Sequence, residues 1–123
     1  MNAPLLVSVV DDDQSVRESL PELLKELGFA ARIFSSAEEF LVSGAALHSS
    51  CLLLDVVMPA MSGPELLREL RRRNLRIPVI FITARRDEVA RSQMLDDGAV
   101  ECLFKPFGDT ALLQALNKAV GRK

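Results

Sequence analysis

Apolar and polar positions follow two rhythms along this chain. Short apolar runs recur, rich in Val, Ile and Leu: Leu5-Leu6-Val7-Ser8-Val9-Val10, Phe29 to Phe34, Cys51 to Asp55, Ile77 to Ile82 and Val100 to Phe104. Runs of this length bounded by turn signals predict strands, and those apolar throughout predict strands covered on both faces. The second run is weaker and more polar, which suits an edge strand. Between the runs the apolar positions recur at helical spacing. Val16, Leu20, Leu23, Leu24 and Leu27 predict a helix from Ser15 to Leu27, with Asp13 as its cap and Gly28 as its stop. Ser35 or Ser36 caps a short helix that carries Phe40 and Leu41 and stops near Gly44. Leu66, Leu67 and Leu70 give the next helix its apolar face, and Pro64 fits its first position. A more polar helix follows from about Asp87 to Asp97, ended by Gly98. Asp109 or Thr110 starts the last, with Leu112, Leu113, Leu116 and Val120 on one face. Pro21 falls inside the first helix, where it costs a hydrogen bond or a kink, and the sequence offers no reason for it.

Strand then helix, five times over, predicts an α/β fold: a five-stranded parallel sheet, doubly wound, with helices on both faces. No linker, repeat or low-complexity stretch divides the chain, so residues 1–123 read as a single domain.

In such a sheet the carboxyl ends of the strands share one edge, and ligands gather there. The first strand ends on Asp11 and Asp12, the third on Asp55, the fourth on Thr83 and the fifth on Lys105. Taken singly, each has a plain structural role: the aspartates and Thr83 as turn or helix caps, Lys105 before Pro106 as a surface turn. Together they bring three carboxylates, a hydroxyl and an ammonium to one cleft. Two carboxylates at about 4 Å repel by roughly 4 kcal/mol at an effective dielectric near 20. Lys105 offsets part of that, and a hard divalent cation offsets more. Oxygen donors without His or Cys favour Mg²⁺, or Mn²⁺, over zinc. The chemistry that fits is phosphoryl transfer with Asp55 as acceptor.

Composition narrows the field. Hydrophobic residues make up 49% of the 123, too many for a disordered chain. Fifteen basic against seventeen acidic residues leave a net charge of −2, which argues against direct nucleic-acid contact through a strongly basic surface. Arg71-Arg72-Arg73 is a local basic cluster, read as a solvated helix end favoured by the dipole. No apolar run approaches a membrane span, and Met1-Asn2-Ala3-Pro4 lacks the basic start of a secretory signal. Cys51 and Cys102 lack metal spacing and start strand-like runs, so they are expected to pack as free thiols in a reducing cytoplasm. His48, in a loop, is assigned no role.

Four motifs now span nearly the whole chain: Val10-Asp11-Asp12-Asp13 followed by Arg17, Leu54 to Pro59 with Ser62-Gly63 after it, Ile82-Thr83-Ala84, and Phe104-Lys105-Pro106. In this order they resemble the receiver (REC) domain of two-component response regulators. The resemblance implies a flavodoxin-like, CheY-like sheet with strand order 2-1-3-4-5. It implies that Asp55 accepts phosphate from the phosphohistidine of a sensor histidine kinase, making the domain a phosphoacceptor with slow self-dephosphorylation rather than an enzyme. It further implies that Asp12 binds Mg²⁺ directly, that Asp11 acts through metal-bound water, and that the Val57 carbonyl is a ligand. Thr83 and Lys105 would contact the phosphoryl group, and Phe104 would be the aromatic switch coupled to Thr83. The family often has a polar side chain where Val57 stands, so side-chain control of dephosphorylation is not implied here. The Lys105–Pro106 bond is expected to be cis, and residues 85–112 to form the surface that changes on phosphorylation and supports a homodimer.

Val16 to Leu20, and Gly28-Phe29 leading to Phe34 through Leu41, resemble the FixJ-like transcriptional regulators of the NarL/LuxR class. That resemblance implies the N-terminal domain of a longer bacterial regulator whose helix-turn-helix output domain lies outside these residues. A stand-alone receiver or phosphotransfer protein is the first alternative. A Mg²⁺-dependent aspartate-nucleophile phosphohydrolase of the haloacid-dehalogenase type is the second, using Asp11, Asp13, Thr83, Lys105 and Asp96-Asp97. Lys105 then falls after the acidic pair, in the wrong order, and Asp55 goes unexplained. A binding module with an inert site is the third. A dinucleotide fold is disfavoured because aspartates, not glycines, follow the first strand.

Overall fold

A computed structural model describes residues 3–121; Met1, Asn2, Arg122 and Lys123 lie outside the described residues. Five strands, β1 (Leu6–Val10), β2 (Ala30–Phe34), β3 (Cys51–Asp55), β4 (Val79–Thr83) and β5 (Glu101–Phe104), alternate with α1 (Gln14–Glu26), α2 (Ala37–Ser43), α3 (Gly63–Arg72), α4 (Glu88–Asp96) and α5 (Asp109–Val120). A short 3-10 turn over Ala45–Leu47 follows α2. All strand pairs are parallel, in the order β2-β1-β3-β4-β5. The chain thus has the expected doubly wound, CheY-type topology.

The central strands β3 and β4 are buried at every position, and the half-polar β2 lies at the edge. Helices cover each face of the sheet. Leu52 and Leu54 face a core with Phe40, Leu66, Leu70 and Phe81, while Leu53, Ile80 and Ile82 face Leu20, Leu24, Leu112 and Leu116. Burying one such side chain contributes about 1.5–3 kcal/mol, so the two layers fix β3 between them.

Helix ends follow local chemistry. Asp13 accepts from the Ser15 amide, Ser36 from Glu39 and Asp87 from Ala90. Ser62 and Glu65 form a reciprocal capping box. Gly44 ends α2 with φ 77, a conformation that favours glycine. Pro64 is the second residue of α3, not the first, because Gly63 already has helical hydrogen bonding after the Ser62 cap. β4 begins at Val79, after Pro78, which cannot donate to the ladder. Pro21 is accommodated within α1, and no contact explains it. In the arginine cluster, Arg72 and Arg73 are solvated at the helix end and pair with Glu69, while Arg71 donates to the carbonyls of Leu75 and Ile77. Cys51 and Cys102 are buried and free. Burial pushes the Cys51 thiol up to about 12 and the Cys102 thiol up to about 11, so both pack as inert apolar groups.

Candidate functional site

The carboxyl ends of β1, β3, β4 and β5 open onto one cleft of about 300 Å³. Asp12, Asp55, Val57, Thr83, Arg85 and Lys105 all line it. Asp11 sits beneath, fully buried, while Asp12 is exposed. Carboxylate oxygens of Asp11, Asp12 and Asp55 lie within 4.8 Å of one another. The structure therefore brings together the three acids, Thr83 and Lys105.

Each side chain is held by its neighbours. Asp11 Oδ1 accepts from the Asp13 amide at 2.8 Å, and its Oδ2 accepts from Lys105 Nζ at 2.9 Å. Arg17 Nη1 donates to the Asp11 carbonyl at 3.0 Å. Lys105 Nζ stands 4.0 Å from Asp55 Oδ1, so the ammonium bridges the two acids but leans toward Asp11. The Thr83 hydroxyl accepts from the Arg85 amide at 3.1 Å. That bond occupies a lone pair and leaves the hydroxyl proton available to an anion in the cleft. The Lys105 amide donates to the Thr83 carbonyl at 2.7 Å, and the Lys105–Pro106 peptide is cis, as expected.

Burial and the nearby Asp11 carboxylate push Asp55 up to about 7, with Lys105 pulling the other way. Two acids so close cannot both stay ionised without a cation. An all-oxygen donor set of three carboxylates is the kind that a hard divalent ion satisfies.

Thr83 and Phe104 are register partners across the β4–β5 ladder. Phe104 is half-buried, and the Arg86 guanidinium lies 5.6 Å from its ring centroid. Val57 is exposed at the rim, 62% accessible. Asp96 ends α4 and Asp97 caps it, at the far end of that helix from the cleft, so the acidic pair required by a dehalogenase-type hydrolase does not reach the other acids.

Two contributions escape sequence reasoning. Gly63 lies so close to Asp55 that an added Cβ would stand 2.3 Å from the Asp55 carbonyl oxygen. The Ser62-Gly63 motif marks the position but not this approach. The Arg86–Phe104 contact depends on how the β4–α4 loop turns, for which a single sequence carries no signal.

Comparison with known proteins gives a consistent result. The family model described as the response regulator receiver domain matches residues 7–117. Transcriptional regulatory protein FixJ of Azorhizobium caulinodans is 41% identical over 122 residues, covering 99% of this chain and 58% of that protein. Nodulation protein W of Bradyrhizobium diazoefficiens is 43% identical over 117 residues, covering 95% of this chain and 52% of that protein. The chain thus spans about half the length of these curated relatives. Among solved structures, FixJ-N superposes with a TM-score of 0.86 at 38% identity, covering 100% of this chain and 98% of that one. The response regulator StyR gives 0.87 at 42% identity, covering 97% of this chain and 60% of that one.

Proposed function

We propose, from the premise that this chain belongs to the response regulator receiver domain family and resembles FixJ-like regulators, that Asp55 is its phosphoryl acceptor. Receiver domains are signalling domains that work with histidine kinases and generally bind Mg²⁺ at an acidic pocket. The observation that carries the reading is the meeting of Asp11, Asp12 and Asp55 within 4.8 Å, in a cleft also lined by Thr83 and Lys105.

In this reading an Asp55 carboxylate oxygen attacks the phosphorus of a kinase phosphohistidine. The O–P bond forms as the N–P bond breaks, and the imidazole nitrogen leaves with the electron pair. Asp11, Asp12, Asp55 and the Val57 carbonyl would hold Mg²⁺, or Mn²⁺. When bound, that ion neutralises charge on the transferring group. With the ion's positive charge beside it Asp55 would stay ionised, which burial alone disfavours. Lys105, poised between Asp11 and Asp55, supplies a second positive charge. The Thr83 hydroxyl donates to a phosphoryl oxygen. Slow attack by water on the phosphorus later breaks the Asp55 O–P bond, releases inorganic phosphate and returns the carboxylate, so the domain stores a signal rather than turning over substrate.

The added charge and acceptor oxygens at Asp55 draw Thr83 inward, and Phe104 follows into the space that it leaves. This biases an existing two-state element. The surface from Arg85 to Leu112 then changes and supports a homodimer. The whole protein is a cytoplasmic bacterial transcriptional regulator in which this receiver precedes a helix-turn-helix output domain. Its DNA contact lies in that domain, not in this one.

Beryllofluoride, a phosphoryl mimic, tests the switch. In ¹H–¹⁵N spectra with Mg²⁺ it is expected to shift the Thr83 and Phe104 amides, and to do nothing to Asp55→Asn. Equal shifts in Asp55→Asn, or none in the parent chain, would count against the reading.

A further inference from the structure

A second concave site lies between α3 and α4, apart from the aspartate cleft. It holds about 320 Å³; Leu67, Phe81 and Met94 form its floor, and Arg68, Arg71 and Asp97 its rim. That is the lower end of the range for small-ligand sites, and the lining has their usual character: an apolar floor with few polar groups.

The rim groups differ in what they have left to offer. Arg71 is committed to the carbonyls of Leu75 and Ile77. Arg68 is exposed and donates no hydrogen bond to any described residue. Its neighbour Glu65, one turn back, accepts from the Ser62 amide and feels the Arg68 charge without hydrogen-bonding to it. Asp97 caps the opposite helix and repels a second anion.

We propose that this groove binds a small apolar monocarboxylate, with its carboxylate on Arg68 and its body against Leu67, Phe81 and Met94. A guanidinium with no hydrogen-bond partner among the described residues, beside an apolar floor, is complementary to one anionic group and one apolar body. Asp97 on the rim disfavours a second carboxylate.

Met94 connects this groove to the signalling cleft. It also lines a smaller space of about 100 Å³ bounded by Val56, Val57 and Thr83. Methionine is unbranched and adaptable, so a body seated in the groove displaces the thioether toward Thr83. Phe81 gives a second connection: its Cε1 would stand 3.0 Å from a Cβ at Gly63, which in turn abuts the Asp55 carbonyl. An occupant is therefore felt beside Asp55 and Thr83 whether or not Asp55 carries phosphate. The proposal goes beyond the phosphoryl reading and does not depend on it.

The test is NMR titration of this chain, read at backbone amides and methionine methyls, with 2-naphthoate, 2-naphthamide and naphthalene-2,6-dicarboxylate. Saturable shifts are expected with 2-naphthoate at Leu67, Arg68, the Met94 methyl and the Thr83 amide. The amide and the dicarboxylate should bind about tenfold more weakly. Arg68→Ala should erase the preference for acid over amide, while Arg72→Ala, on the same helix but paired with Glu69, should keep it. Shifts that fail to saturate, that centre elsewhere, or that keep the acid preference in Arg68→Ala overturn the site. Saturable binding that leaves the Thr83 amide unmoved overturns the connection through Met94.

Discussion

Gly63 and the carbonyl of Asp55 are in such close approach that any side chain at Gly63 collides with the Asp55 backbone. The φ of Gly63 is not positive, so space rather than backbone freedom demands glycine here. The Gly63 amide also donates to the Val56 carbonyl at 3.0 Å, tying the start of α3 to the end of β3. Gly63→Ala must move one of these backbones. We expect it to lower the unfolding free energy by about 2–3 kcal/mol, measured by urea denaturation. An alanine variant as stable as the parent contradicts the approach.

Lys105 makes its close contact with Asp11, which is fully buried, not with Asp55. Lys105→Ala leaves a buried carboxylate whose remaining support is the Asp13 amide. Breaking a buried pair costs about 3–5 kcal/mol; with Lys105 partly reached by solvent, roughly 2 kcal/mol is expected at neutral pH. A double-mutant cycle with Asp11→Asn, read by denaturation, should show most of that cost as coupling between the two residues.

Asp55 gives the fold a pH dependence. Its folded value, pushed up to about 7, lies above the ordinary 3.8. The folded state therefore holds this proton more tightly than the unfolded chain. The stabilising contribution is full below pH 3.8 and is lost as pH rises through about 7. One unit corresponds to about 1.4 kcal/mol; allowing for solvent at the cleft, Asp55→Asn should be more stable than the parent by about 1–2 kcal/mol at pH 8, with little difference near pH 4. Melting curves across that range in chelator check the sign. Adding Mg²⁺ at pH 8 should recover stability in the parent and much less in Asp55→Asn.

Arg86 lies over the half-buried Phe104 ring and favours the position seen here. Exposed cation–π contacts are worth about 0.5–1 kcal/mol. Arg86→Ala should therefore favour the switched form about two- to fivefold, seen as tighter apparent binding of beryllofluoride with Mg²⁺. Unchanged affinity means that the contact does not bias the switch.

Much of this architecture is legible in the sequence because its signals are local. β3 ends at Asp55 as its apolar run does, and α4 lies between Asp87 and Asp97, within the span its sequence suggests. The sheet edge that collects Asp11, Asp12, Asp55, Thr83 and Lys105 follows from parallel topology alone, since every strand must end on the same side. Pairing within the cleft is less legible. The preference of Lys105 for Asp11 goes with the depth of each carboxylate, Asp11 being fully buried and Asp55 partly reached by solvent, which residue identity does not reveal. The inward turn of Arg71 depends on the unsatisfied carbonyls of Leu75 and Ile77, which only the folded α3–β4 loop presents. The collision behind Gly63 and the stacking of Arg86 depend on the paths of loops, where residue identity constrains least.

Phosphoryl acceptance by Asp55 underlies every role proposed for the cleft. Intact mass after incubation with acetyl phosphate, with and without Mg²⁺, tests it most directly. A single alkali-labile phosphate adduct is expected that requires Mg²⁺ and is absent from Asp55→Asn. Undiminished labelling of Asp55→Asn, or no adduct in the parent chain under conditions where beryllofluoride also fails to bind, would contradict it.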